Sequence, residues 1–142
     1  MTATALEVRH GRDLVPPPLF QRLAAFCADE YRMDLPMAER VMDQGLALLD
    51  LMGTTGEPLS PSKTVDPAWH TFMLHSQEYT DWCRTRYGRY IHHAPNSRYR
   101  DGLVMRQVVD RLRAAGYFAD DALWGTAADC NEPACCGDGP CC

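Results

Sequence analysis

Four of the chain's five histidines, His70, His75, His92 and His93, fall in one short stretch, VDPAWHTFMLHSQEYTDWCRTRYGRYIHHAP. Two of its three tryptophans, Trp69 and Trp82, lie in the same stretch. Imidazole is the commonest metal ligand and the one side chain that ordinarily titrates near neutral pH. Clustered histidines on an aromatic helix and the loop after it therefore mark a candidate site. The competing reading is that they are hydrogen-bonding residues stitching helix to loop.

Spacing narrows the options. His70 and His75 are five residues apart, which on a helix separates them by ~140° around the axis. They do not chelate one ion as an i, i+4 pair would, and this is not the HExxH pattern of a zinc protease. His92 and His93 are adjacent, so one of the two is expected to join His70 or His75. The predicted site is His70 or His75 meeting His92 or His93 across the corner at Gly88, with Asp66, Glu78, Asp81 or Tyr79 nearby. Two or three N/O donors suit zinc, iron, copper or nickel. Asp66, just before Pro67, is expected to act mainly as a helix N-cap.

The elements that must position these residues read as helices throughout, with no convincing strand. A first helix runs roughly from Pro18 to Tyr31, with Leu19, Phe20, Leu23, Phe26, Cys27 and Tyr31 on one face. A second is capped by Asp34 and ended by Gly53 and Gly56, with Ala38, Val41, Met42, Gly45, Leu46, Leu49 and Met52 inward. The third runs unbroken from Asp66 to about Tyr87, with Trp69, Phe72, Met73, Ser76, Tyr79 and Cys83 as its core seam. A fourth spans Tyr99 to Ala115, with Leu103, Val104, Val108 and Leu112 inward. A short fifth holds Ala119 to Ala127, anchored by Phe118, Leu123 and Trp124. The predicted fold class is all-α, a small bundle of four to five helices with a flexible Cys-rich C-terminal tail. Residues 1–15 are read as a flexible arm, 16–128 as the helical domain and 129–142 as the tail.

The string Asp66-x2-Trp69-His70-x3-Leu74-His75-x3-Tyr79-x3-Cys83 resembles the signature of the glycine-rich domain-containing protein-like family, with its D-x2-W-H-x-H-x2-L core. Phe72 stands where the second histidine of W-H-x-H would be, and no glycine-rich domain follows. The resemblance covers about thirty residues. It implies a helical domain carrying the motif and no particular reaction.

Five of the seven cysteines crowd the last thirteen residues, CNEPACCGDGPCC. Cys130, Cys135, Cys136, Cys141 and Cys142 repeat a five-residue step on a Gly/Pro-rich segment with no large apolar side chain. Such a segment can wrap a soft ion such as Zn²⁺ or Cu⁺. Vicinal cysteines resist pairing with each other, and there is no CxxC pair of the finger type. Thirteen extended residues reach ~40 Å, enough to fold back on the body. Cys27 and Cys83 differ, each lying on an apolar helix face as a small hydrophobe.

Composition bounds the remaining classes. Net charge is −5, and thirteen arginines against the single Lys63 are scattered, with no basic stripe. Nucleic-acid binding is not expected, and the arginine bias is read as that of a GC-rich bacterial genome. The N-terminus lacks a secretory h-region and no stretch suits a membrane span, so a cytoplasmic protein with reduced thiols is expected.

Three functions compete on these residues. The first is binding of a transition metal ion, zinc or copper foremost, through the histidines, the thiolate tail or both. The second is a metal-dependent enzyme with Tyr79 or Asp81 as acid/base partner, whose reaction the residues leave open. The third is a substrate or interaction protein whose Cys-rich tail meets and is modified by a partner enzyme.

Overall fold

A computed structural model describes residues 7–93 and 102–126. Within these the chain is all-helical: a 3₁₀ turn (Gly11–Leu14) and six α-helices. They are α1 (Pro17–Glu30), α2 (Leu35–Thr55), α3 (Asp66–Leu74), α4 (Ser76–Tyr87), α5 (Gly102–Ala114) and α6 (Asp121–Trp124). The only pairing of strand type among the described residues is one isolated bridge, Arg9 to Tyr117. The start predicted for the fourth helix at Tyr99 and the whole cysteine tail lie outside the described residues.

The local signals for α1 and α2 act as expected. Prolines open α1, and Asp34 caps α2 by accepting from the Met37 amide at 2.8 Å. Gly56 ends α2 in the left-handed conformation, at φ 75°. Gly53, expected as a second stop, remains inside the helix. A Cβ there would meet the Tyr87 ring at 2.6 Å, so this glycine makes room for an aromatic.

Helix α2 is the axis of the bundle, with α1, α3, α4 and α5 packed around it. Every residue from Val41 to Met52 is buried, the polar Asp43, Gln44 and Asp50 included. A helix buried all round needs partners for each polar group. The Asp43 carboxylate accepts from the Arg12 amide at 2.9 Å. The Gln44 amide group donates to Phe118 O and accepts from the Asp120 amide and the Trp124 indole. Asp50 accepts from the hydroxyls of Tyr87 and Tyr117. The segment before α1, expected to be a loose arm, is docked from Arg9 onward: its backbone pairs with Gly116 and Phe118, and Gly11 lies against the α2 backbone.

Two further expectations change. Phe118 does not anchor the last helix; it is 45% exposed beside His10, while Leu123 and Trp124 carry the burial. The helix predicted from Asp66 to Tyr87 is two helices, broken at His75 (φ −84°, ψ 63°). The His75 amide closes the last turn of α3 on Phe72 O, and the His75 carbonyl accepts from the Tyr79 amide to start α4.

The α2–α3 contact rests on small residues. A Cβ on Gly45 would lie 2.3 Å from the Ala68 Cβ. Alanine improves helix propensity by about 1 kcal/mol, yet overpacking a rigid contact costs about 1–3 kcal/mol. Gly45→Ala is therefore expected to lower the urea unfolding midpoint, and adding Ala68→Gly to recover most of the loss. A G45A protein as stable as the parent would show that the two helices separate freely.

Candidate functional site

Helix α3 and the chain after α4 meet at one cluster. Its start is set upstream, where the Ser62 hydroxyl accepts from the Val65 amide at 3.1 Å and donates to Leu123 O. The N-cap position is Val65, and Asp66 is the first residue of α3. This corrects the expected N-cap position, which falls one residue before Asp66, where the Ser62 hydroxyl holds the Val65 amide. The Asp66 carboxylate faces sideways instead, toward His70 one turn on.

Beyond α4 the left-handed Gly88 turns the chain back, and Ile91 is buried. His93 then enters beside α3. Its Nε2 lies 2.9 Å from Asp66 Oδ1 and 3.0 Å from His70 Nε2. His70 Nε2 is 3.3 Å from Asp66 Oδ2. The His93 side chain is 5% exposed, Asp66 20% and His70 44%, so the cluster opens outward on the His70 side. Among the described residues this is the one group of three ligand-type side chains whose donor atoms lie mutually within 4.8 Å.

The predicted alternatives are thus resolved residue by residue. His70 and His93 come together, with Asp66. His75 does not join them: its Nδ1–H donates to Thr71 O at 2.8 Å, and its ring sits edge-on to Phe26. Because a carbonyl only accepts, the proton is on Nδ1. His92 is exposed and tilted against Tyr90. Glu78 pairs with Arg22 at 3.1 Å, tying α4 to α1. Asp81 is exposed on α4. Cys130, Cys135, Cys136, Cys141 and Cys142 lie outside the described residues.

Aromatic groups hold the cluster from behind. The Trp69 indole stacks on the His93 ring, with centroids 4.0 Å apart and planes 22° apart. The indole N–H donates to the Tyr79 hydroxyl at 2.9 Å, which donates in turn to Ile91 O at 2.5 Å. Tyr79 is fully buried, and desolvation pushes its phenol well above the ordinary tyrosine value. It is unsuited to the acid/base role considered for it. Burial likewise raises the thiols of Cys27 and Cys83, which pack in the core as expected. Of the predicted seam, Trp69, Phe72, Tyr79 and Cys83 are buried, Met73 is half-buried and Ser76 is exposed.

Asp66 is the contribution that local preference misplaced, and the stacking of the buried Trp69 on His93 is one that spacing did not reveal. The only hint was the i, i+4 spacing of Asp66 and His70, which suits a shared ion as well as a cap.

A family model described as UCP032817-like matches residues 22–115. The matched span holds Asp66, Trp69, His70, Tyr79 and His93 and ends before the cysteine tail. No curated protein and no solved structure matches the chain.

Proposed function

The chain belongs to the UCP032817-like family, and on that premise we propose that its helical body binds a divalent transition metal ion through Asp66, His70 and His93. The observation that carries the reading is the convergence of two imidazole Nε2 atoms and a carboxylate at 2.9–3.3 Å. An ion with bonds of about 2.1 Å holds adjacent donors about 3.0 Å apart at right angles and about 3.4 Å apart at tetrahedral angles. The observed separations, with one Asp66 oxygen facing each imidazole, lie within about 0.1 Å of that range, which suits zinc, copper or iron. Phe72, where the resembled motif has a histidine, is buried between Tyr79 and Trp82 and faces away from this site. The glycine-rich domain-containing protein-like relationship remains part of the proposal on the strength of Asp66, Trp69 and His70.

The thiolates of Cys130, Cys135, Cys136, Cys141 and Cys142 extend the proposal as a soft-ion ligand set, or as the point where a protein partner engages the tail. We take the protein as cytoplasmic and bacterial, in keeping with the unpaired thiols of Cys27 and Cys83. Enzymatic use of the metal would need an acid/base group other than Tyr79.

Elemental analysis and zinc titration of the full chain, a chain lacking residues 130–142, and His93→Ala test the reading. The full and shortened chains are expected to share one histidine-type site. His93→Ala should weaken that site by more than the roughly 100-fold typical of losing an outer hydrogen-bond partner. Proton release on binding should make affinity fall as pH is lowered. A body that takes up no metal once the tail is gone would end the proposal.

A further inference from the structure

The break at His75 has a geometric effect on Trp69 and Tyr79. Ten residues of unbroken helix would separate them by about 15 Å along the axis. Instead the chain bends at His75, and the two side chains share a 2.9 Å hydrogen bond. The Tyr79 hydroxyl is committed on both sides. An indole N–H can only donate and a carbonyl can only accept, so the phenolic proton points at Ile91 O. The oxygen therefore joins two segments that otherwise come from opposite ends of the corner. Trp69 is the neighbour of His70 and is stacked on His93. Ile91 is two residues before His93 and is 2% exposed.

We propose that Tyr79 is a positioning residue for the Asp66–His70–His93 site, setting the plane of the His93 ring through Trp69 and its approach through the Ile91 carbonyl. The inference rests on the metal reading above for its functional meaning. A metal-ligating histidine gains affinity when its ring is held in the ligating orientation before the ion arrives. His93 is the ligand that needs such help, because it comes from an irregular segment, whereas Asp66 and His70 are one turn apart on a helix. Loss of the hydroxyl would leave the indole N–H and the Ile91 carbonyl in the core without this partner, and both would shift to find another.

The test is nuclear magnetic resonance of the full-length protein, with the His93 ring protons as reporter. In the parent they should be displaced upfield by the stacked indole. Zn²⁺ is then added against a competing chelator, and occupancy is read from the same protons, so the tail thiols do not obscure the result. Tyr79→Phe is expected to reduce the upfield displacement before any zinc is added. It should also raise the free zinc needed for half occupancy by about 10–100-fold. Tyr117→Phe, which removes another buried hydroxyl away from the site, should change neither. Trp69→Phe keeps a ring over His93 without the indole N–H, and should fall between the parent and Tyr79→Phe. Unchanged His93 shifts and zinc affinity in Tyr79→Phe would overturn the proposal. So would equal changes in Tyr117→Phe, which would mean general loosening. If the His93 shifts change only in Tyr79→Phe but zinc never reaches His93 in the parent, the positioning role stands and the metal reading falls.

Discussion

Asp50→Ala is expected to lower the stability of the protein by about 3 kcal/mol, a fall in Tm of roughly 10 °C for a chain of this size. Asp50 is 3% exposed in the middle of α2. Its carboxylate accepts from the Tyr87 hydroxyl at 2.5 Å and from the Tyr117 hydroxyl. Arg9 and Arg86 approach it at 3.3 and 3.7 Å. The four partners come from the N-terminal segment, the end of α4 and the turn after α5, so one side chain ties three segments to the central helix. The two arginines are 51% and 38% exposed and stay hydrated when the carboxylate goes. Most of the loss should therefore come from the tyrosine hydroxyls, each costing about 1–3 kcal/mol when left unsatisfied. Asp50→Asn keeps an acceptor and should lose less. The double variant Asp50→Ala/Tyr117→Phe should be less destabilised than the sum of its parts, because the two changes remove one shared bond. Additive losses in thermal unfolding would mean that the short contacts carry little energy.

The bundle was legible because apolar residues at helical spacing bury a face wherever the chain goes. Phe20, Leu23 and Cys27 of α1 and Val41, Leu46 and Leu49 of α2 are all in the core. The all-round burial of α2 was not legible. Asp43, Gln44 and Asp50 are not among the residues predicted inward, yet the N-terminal segment and the turn after α5 cover them. Periodicity cannot report which polar residues will find partners that are distant in sequence.

The site divides in the same way. The density of histidines pointed to the corner where His70 and His93 meet, and Gly88 to the turn before it. The break at His75 left no proline or glycine as a signal, and it alone brings Tyr79 back to Trp69. Asp66 looked like a cap because Asp-Pro is a strong local preference. The helix instead starts one residue earlier, with Val65 at the N-cap position and its amide bonded to the Ser62 hydroxyl. The Asp66 carboxylate lies against His70 and His93 as the third member of the cluster.

Raising the pH above about 10 should unfold this protein steeply. Tyr79, Tyr87 and Tyr117 all hold their phenolic protons more tightly than a free tyrosine, with burial as the largest cause. For Tyr87 and Tyr117 the hydrogen bond to the Asp50 carboxylate adds to it, since a phenolate there would face a second negative charge. In the unfolded chain all three would titrate near 10. The folded form thus retains protons that the unfolded form releases, so the tyrosine contribution to stability is complete below pH 10 and falls as pH rises beyond it. Each tyrosine contributes a slope of up to about 1.4 kcal/mol per pH unit, or up to about 4 kcal/mol per unit for the three together. Against a typical total of about 5–15 kcal/mol, about one to four units exhaust the margin. The buried thiols of Cys27 and Cys83 pull in the same direction from about pH 8.5. Urea midpoints measured at pH 8, 10 and 11 should drop most over the last interval. Tyr117→Phe should start lower at pH 8 yet show a shallower alkaline decline. A midpoint that is flat from pH 9 to 11 would mean that the phenols reach water without unfolding. If they do ionise in place, Tyr79 has no proton left to give Ile91 O, and the clamp on His93 should open before the helices separate.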